Sequence, residues 1–313
     1  MKKIKSLNLM VTSRCNGACN MCNIWKGKED SNLNLDSLKR FLSSPEFSEL
    51  EDLSISGGEP MLKDDIYEFS KYLIKNLPKL KMFFINTNGL LPEKTIKLAR
   101  FLKRDAKLLN KDLKIYFSIS IEGPKDIHET IRGRSYDLSI KTILLLKKIM
   151  SKKFEVIISM TLQKYNYKFV EQVSSLAKSL NCGFSFRFVD FSDNYYNNID
   201  NNSISLSKKE ATSILEKFKK SFEGDRFFQV LYKSVCSGKN DIMLNADGKL
   251  VCKAGSLFIF VKSDGNIYPC IYSKQKIGHI SEGLHAFKLK RLKNCPCCTE
   301  CHIYPMLNFC KDK

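Results

Sequence analysis

SLNLMVTSRCNGACNMC, residues 6–22, runs an alternating apolar segment straight into three cysteines spaced Cys15-x3-Cys19-x2-Cys22. Alternation over a few residues marks a strand, so the three thiols are expected together on one loop at that strand's C-terminal end. Working outward, the same texture repeats. β-rich runs at 4–12, 50–56, 81–87, 113–121, 154–162 and 183–190 alternate with amphipathic stretches near 35–42, 64–77, 92–109, 136–152 and 168–180. In the stretches between, apolar residues recur at three and four, as on one face of a helix. Six βα units in succession imply an α/β fold with a parallel sheet, either open or curled into a partial (β/α)6 barrel. Such sheets gather their chemistry at the C-terminal ends of their strands, where the cysteines fall.

The chain has 313 residues, enough for one large core or a core with a small satellite domain. Its 43% hydrophobic and 27% charged residues set it apart from disordered chains. No apolar run is long enough to cross a bilayer, and the start turns polar too soon for a signal peptide. A cytoplasmic protein without a membrane partner is expected. Lys and Arg outnumber Asp and Glu by 52 to 33, a formal charge of +19. The lysines are scattered, for example over 140–153, and no basic patch is interleaved with aromatics, so no nucleic acid partner is expected. Twelve cysteines in a chain with no secretory signal point to metal ligation rather than disulfides.

The run NYYNNIDNNS over 194–203 reads as a surface excursion after the sixth strand, and a helical pattern resumes over 206–222. The core domain is therefore expected to span 1–222. From 243 onward short strands, Gly turns at Asp247-Gly248 and Asp264-Gly265, and clustered cysteines replace the βα rhythm. A small metal-stapled domain over 223–313 fits that texture.

With Met21 directly before its third cysteine, the first loop resembles the radical S-adenosylmethionine (SAM) superfamily. That resemblance implies a 4Fe–4S cluster on Cys15, Cys19 and Cys22 whose fourth iron is chelated by the amino and carboxylate groups of SAM. It also implies that Met21 packs near the adenine. Gly57-Gly58-Glu59-Pro60 ends the second strand and is similar to the family's motif for the methionyl amine. Glycines there let backbone approach a ligand closely. Ser120, Glu122 and Arg132, with His128 in register, resemble a stretch of the sulfatase maturases in which the serine and arginine contact the SAM carboxylate. Glu122 stands where those relatives carry Asp. Asn88, in Asn86-Thr87-Asn88-Gly89, resembles a turn that faces the ribose.

Cys252-x12-Gly265-x4-Cys270 resembles the opening of the SPASM and twitch domains, C-terminal extensions that bind auxiliary 4Fe–4S clusters. The remainder departs from that pattern: Cys295, Cys297, Cys298 and Cys301 crowd together, and Cys310 follows. The seven cysteines from Cys252 to Cys310 are one short of two fully ligated cubanes. At least one auxiliary cluster is expected, on Cys252, Cys270, Cys298 and Cys301 as the preferred set, with Cys295 paired to Cys298 as the alternative and Cys297 and Cys310 as further alternates; a second cluster with an open site or with Cys236 as a ligand is also open. Cys182 reads as a small buried hydrophobe. Cys236 is open as a ligand, as a hydrogen donor to a substrate radical, or as an ordinary thiol.

The resemblance implies reductive cleavage of SAM and hydrogen abstraction from a substrate, with a flavodoxin- or ferredoxin-type protein as reductant. Its substrate would be a peptide or a small carbohydrate-like molecule, oxidised or modified with help from the auxiliary cluster. A redox-neutral epimerase or mutase is the first alternative, separated by solvent deuterium entering the product. A non-enzymatic metal-binding scaffold is the second. The C-terminal cysteines make one comparison decisive. Cys301→Ala is expected to lose the auxiliary cluster's irons, about four by analysis, while Cys295→Ala keeps them; the reverse pattern assigns Cys295 instead.

Overall fold

Side chains on a strand alternate between faces, and here the alternation separates an apolar face from a polar one. The computed structural model describes residues 3–27, 30–109, 112–223 and 254–282, together with Phe228 and Tyr232. In chain order its elements are β1 (Ser6–Met10), α1 (Leu35–Leu42), β2 (Asp52–Ser56), α2 (Ile66–Asn76), β3 (Met82–Thr87) and α3 (Pro92–Leu108). They continue with β4 (Lys114–Ser120), α4 (Lys125–Arg132), α5 (Tyr136–Lys147), β5 (Phe154–Leu162), α6 (Val170–Ser179), β6 (Gly183–Phe188) and α7 (Lys208–Phe218). Three short strands close the described part: β7 (Phe258–Val261), β8 (Asn266–Tyr268) and β9 (Gly278–His279).

All nine strands form one sheet in the order β6-β5-β4-β3-β2-β1-β7-β8-β9, which does not close on itself. Strands β1 to β6 are parallel to their neighbours, as the βα rhythm requires. Strand β7 adds in parallel to the free side of β1, and β8 and β9 follow antiparallel. Residues 254–282 are thus built onto the edge of the same sheet. Gly265, at φ +86, makes the β7–β8 turn that Asp264-Gly265 foreshadows.

Leu7, Leu9, Leu53, Ile55, Phe83, Ile85, Phe117 and Ile158 point to one face and join a single core with Phe41, Phe69, Leu102, Leu146 and Leu215 from the helices. Burying a side chain of that size stabilises by about 1.5–3 kcal/mol, so this layer dominates the fold. The other face is mostly polar: Ser6, Met10, Asp52 and Ser56 are buried on it, Asn8, Ser54, Ser118, Ser120 and Ser159 are half-buried, and Asn86 is exposed. Register places Asn8 beside Ser54, Asn86 beside Ser118, and Ser120 beside Ser159. Phe84 and Tyr116 stack on that face with ring centroids 4.5 Å apart.

Local chemistry sets the helix ends. The Asn34 side chain accepts from Ser37 N to cap α1, Pro92 starts α3, and Ser207 with Glu210 forms a capping box on α7. The helical pattern over 136–152 stops at Lys147, because the chain turns there to make the Ser151–Phe154 bridge. The largest departure is 194–203. It is not a simple surface excursion: Tyr196 and Asn198 are buried, as is Ile204 directly after it. Among the described residues no helix is long and apolar enough to cross a membrane.

Candidate active site

The cysteine loop leaves β1 and is pinned at once to the turn after β2. Gly58 N donates to Thr12 O at 2.9 Å and Glu59 N donates to Arg14 O at 2.7 Å. Backbones this close leave no room for a side chain. A Cβ on Gly58 would lie 2.0 Å from Arg14 O, and one on Gly57 would lie 2.5 Å from Thr12 O. Gly57 also sits at φ +155, which other residues rarely adopt.

Glu59 then ties the turn to the next strand. Its carboxylate, 1% exposed, accepts from Met61 N at 3.0 Å, Thr87 Oγ1 at 2.7 Å and Asn88 N at 2.7 Å. Burial pushes its pKa up, while those donors work the other way. Pro60 starts the short 3-10 turn Pro60–Leu62 that follows. Asn88 reaches back to the cysteine loop, its Nδ2 donating to Asn16 Oδ1 at 2.9 Å. From α5, Ser139 Oγ donates to Asn88 O at 2.7 Å and Thr142 Oγ1 to Gly89 O at 2.6 Å, which holds the β3 turn in place.

Cys19 is buried; Cys15 and Cys22 are half-buried. Gly17 fills the space between: a Cβ there would meet the Cys15 and Cys19 sulfurs at 3.7 Å each and Asn88 Nδ2 at 3.6 Å. Gly17 N donates to Cys15 Sγ at 3.4 Å. Burial pushes the Cys15 thiol up to about 12 and the Cys22 thiol up to about 11. As free thiols they therefore stay protonated, and iron would displace the protons. Among the described residues no three His, Cys, Asp or Glu side chains converge on a single-ion site. A soft donor set of three thiols fits a 4Fe–4S cluster, which binds through cysteine sulfur and would keep one iron open.

Arg132, at the end of α4, stands over Cys19. Its Nε donates to Glu122 Oε1 at 2.7 Å, its Nη2 lies 2.6 Å from the same oxygen, and its Nη1 donates to Cys19 Sγ at 3.5 Å. Burial works to lower the guanidinium pKa, but the Cys19 sulfur and Glu122 raise it above its ordinary value, so the charge persists. Fully buried Glu122 also accepts from Thr161 N at 2.8 Å and Asn166 Nδ2 at 3.3 Å. His128 accepts the Glu122 N–H on Nδ1 at 3.1 Å, which leaves Nε2–H to donate to Ser135 Oγ at 2.8 Å. Burial, with Arg132 nearby, pushes the imidazole down to about 3. Ser120, at the end of β4, has no side-chain partner among the described residues and is half-buried.

The sequence reading missed a strap over 190–204. Asn198 Nδ2 donates to Met21 O at 2.7 Å and to Asp190 O at 3.0 Å, Asn201 Nδ2 to Asn20 O at 2.7 Å, and Asn23 N to Tyr196 O at 2.8 Å. Its other side grips the loop after β8: Ser192 Oγ donates to Ile271 O at 2.6 Å and Tyr272 OH to Asp190 Oδ2 at 2.6 Å. Tyr195 OH donates to Gly57 O at 3.5 Å. Met21 packs with Cys19, Ile131, Val189 and Ile204 in a small apolar cluster. Arg187, from β6, adds a second guanidinium, whose charge works against the burial that raises the Cys22 pKa. A run of asparagines gave the only signal, and it is shared with any polar loop.

Cys270 is buried on the loop that this strap holds. Cys182 is half-buried against the core, and Trp25, 39% exposed, donates Nε1–H to Cys19 O at 3.3 Å. Cys236, Cys252, Cys295, Cys297, Cys298, Cys301 and Cys310 lie outside the described residues.

Comparison with known proteins agrees with this geometry. The radical SAM superfamily model matches residues 9–177, more than half of the chain. The chain belongs to the radical SAM superfamily. It is 27% identical to the GTP 3',8-cyclase of Aquifex aeolicus over 284 residues, 80% of this chain and 81% of the relative. It is 23% identical to that of Clostridium botulinum (strain Okra), over 88% of this chain and 84% of the relative. Among solved structures, Streptococcus suis SuiB bound to S-adenosylmethionine superposes with a TM-score of 0.66 at 17% identity, over 90% of this chain and 64% of SuiB. The anSMEcpe structure with bound AdoMet and Cp18Cys peptide gives 0.61 at 22% identity, over 90% and 78%. The chain therefore spans just under two thirds of SuiB, and both likenesses establish the fold.

Gly58→Ala is expected to push the cysteine loop off the β2 turn and lower the iron held on Cys15, Cys19 and Cys22. Gly133→Ala, where a Cβ meets nothing within 4 Å, should keep that iron despite φ +77; iron analysis of both variants checks this. A second outcome concerns pH. Because His128 titrates at about 3 when folded and at about 6.5 when unfolded, only the unfolded chain gains its proton between those values. Stability should fall as pH drops through that window, by up to about 1.4 kcal/mol per pH unit from this group. Urea melts of wild type and His128→Gln at successive pH values measure the difference in slope.

Proposed function

We propose that this chain reductively cleaves SAM at a cluster on Cys15, Cys19 and Cys22 and abstracts hydrogen from a polar substrate on the open face of the sheet. The observation that carries this reading is the three-thiol loop locked against Gly57-Gly58-Glu59-Pro60. A cluster held by Cys15, Cys19 and Cys22 would supply one electron to the sulfonium of SAM, which would part into methionine and the 5′-deoxyadenosyl radical. The chain's own residues bind and orient. The Gly57 carbonyl, within reach of Tyr195 OH, and the Ser120 hydroxyl, which has no side-chain partner among the described residues, are the groups assigned to the methionyl amine and carboxylate of SAM. Glu59 acts on this site through its hold on Thr87 and Asn88, and Met21 through the apolar cluster it shares with Cys19.

On the open face, Asn8, Ser54, Asn86, Ser118 and Ser159 offer hydroxyl and amide groups beside the Phe84–Tyr116 stack. That lining suits a neutral polar substrate such as a carbohydrate ring or a peptide backbone. A nucleotide is the second reading, favoured by the relatives named GTP 3',8-cyclase; their name describes ring closure and weighs toward rearrangement over net oxidation. Cys270, buried beside the strap, supports an auxiliary cluster in the C-terminal region over 223–313, with Cys252, Cys298 and Cys301 as the other proposed ligands. A flavodoxin- or ferredoxin-type reductant is proposed, since the +19 chain would attract such acidic proteins. Ser120→Ala should weaken SAM binding about tenfold to a hundredfold, the cost of one hydrogen bond to a charged group, with iron content unchanged. Equilibrium dialysis with labelled SAM checks it, and an unchanged affinity removes Ser120 from the site.

A further inference from the structure

Resting on the cluster assignment above, the geometry points to a role for Arg132 that its resemblance to a SAM-binding arginine does not cover. We propose that Arg132, aimed by Glu122, raises the reduction potential of the cluster by placing a positive charge and an N–H donor on the Cys19 sulfur. Two of its three guanidinium nitrogens are spent on Glu122 Oε1, at 2.7 and 2.6 Å, and the third, Nη1, is turned to Cys19 Sγ at 3.5 Å. Three of its five N–H groups are thus directed at protein, and its side chain is only 12% exposed.

Glu122 cannot swing to follow a ligand. Its second oxygen is held by Thr161 N and Asn166 Nδ2, and its own N–H by His128, which Ser135 fixes in turn. This chain of contacts joins the ends of β4 and β5 to α4, so the direction of the guanidinium is set before any cofactor arrives. Reduction adds one negative charge to a cluster, and hydrogen bonds to its sulfurs are among the main determinants of its potential. A cation with a donor on a ligating sulfur stabilises the reduced form. Water screens it weakly, because the Arg132 side chain is largely buried and Cys19 belongs to a buried apolar cluster with Met21 and Ile131. Arg132 is in this sense a positioning and tuning residue for the cluster, and Glu122 is the residue that aims it.

The test is an EPR-monitored redox titration, without SAM, of the reconstituted full-length chain. The signal followed is the one that disappears when Cys15, Cys19 and Cys22 are replaced together by Ala. Absence of that signal from wild type would count against the cluster assignment itself and not against this inference. Arg132→Gln is expected to lower the reduced-to-oxidised ratio at a fixed potential about tenfold, a shift of about 59 mV to more negative values for one electron. Because Arg132→Gln orphans a buried carboxylate, the double variant Arg132→Gln with Glu122→Gln is measured beside it. It should also titrate at a more negative potential than wild type, since the aimed donor is missing. A wild-type potential in either variant overturns the proposal: in the single it denies the contact any effect, and in the double it reduces the effect to net charge. Loss of the cluster's iron from both variants also overturns it, by making the pair structural.

Discussion

Everything at this site depends on two backbones touching where no side chain fits. Gly57 and Gly58 lie so close to Thr12, Ser13 and Arg14 that a single methyl group at either glycine would overlap a carbonyl oxygen. The contact fixes where the cysteine loop leaves β1, and thereby where that loop carries its three thiols. Because β1 and β2 are neighbouring parallel strands, their C-terminal ends already lie side by side. The glycines turn that proximity into a defined pose. Backbone hydrogen bonds from Gly58 and Glu59 complete it without drawing on any side chain that SAM or iron would need.

Two buried carboxylates extend the same frame around the sheet. Glu59 closes the gap between the β2 and β3 ends through Thr87 and Asn88. Glu122 closes the one between β4 and β5 through Thr161, and at the same time holds Arg132. A buried charge is costly unless it is paired or fully hydrogen-bonded, and each of these is satisfied by groups from a different strand end. Stability and site geometry are consequently one problem here. Asn88 and Arg132, which help to satisfy these carboxylates, also reach the cysteine loop at Asn16 and Cys19.

The fold was largely legible in the sequence because its signals are local. Alternation in residues 6–10 and 52–56 and the three-and-four pattern of Leu38, Phe41 and Leu42 each report their own element, and observed strands and helices fall within a few residues of the expected ones. The cysteine loop and the glycine turn were legible because their residue types admit few other uses. What escaped was non-local. Asn198 and Asn201 look like ordinary loop residues until their amides are found on the carbonyls of Met21 and Asn20, far away in the chain. The position of Arg132 was visible from the resemblance, but its partner was not. Only the folded chain shows Glu122 taking two of its nitrogens and leaving the third for Cys19.

Cys15, Cys19 and Cys22 are proposed to hold the cluster at which SAM is split. The direct measurement is 5′-deoxyadenosine released by the anaerobically reconstituted, dithionite-reduced protein, compared with the variant in which the three cysteines are Ala. Formation is expected from the wild type and none from the variant, which should also lose about four irons. Equal release of 5′-deoxyadenosine by both proteins, or none by a wild type with its full iron, would contradict it.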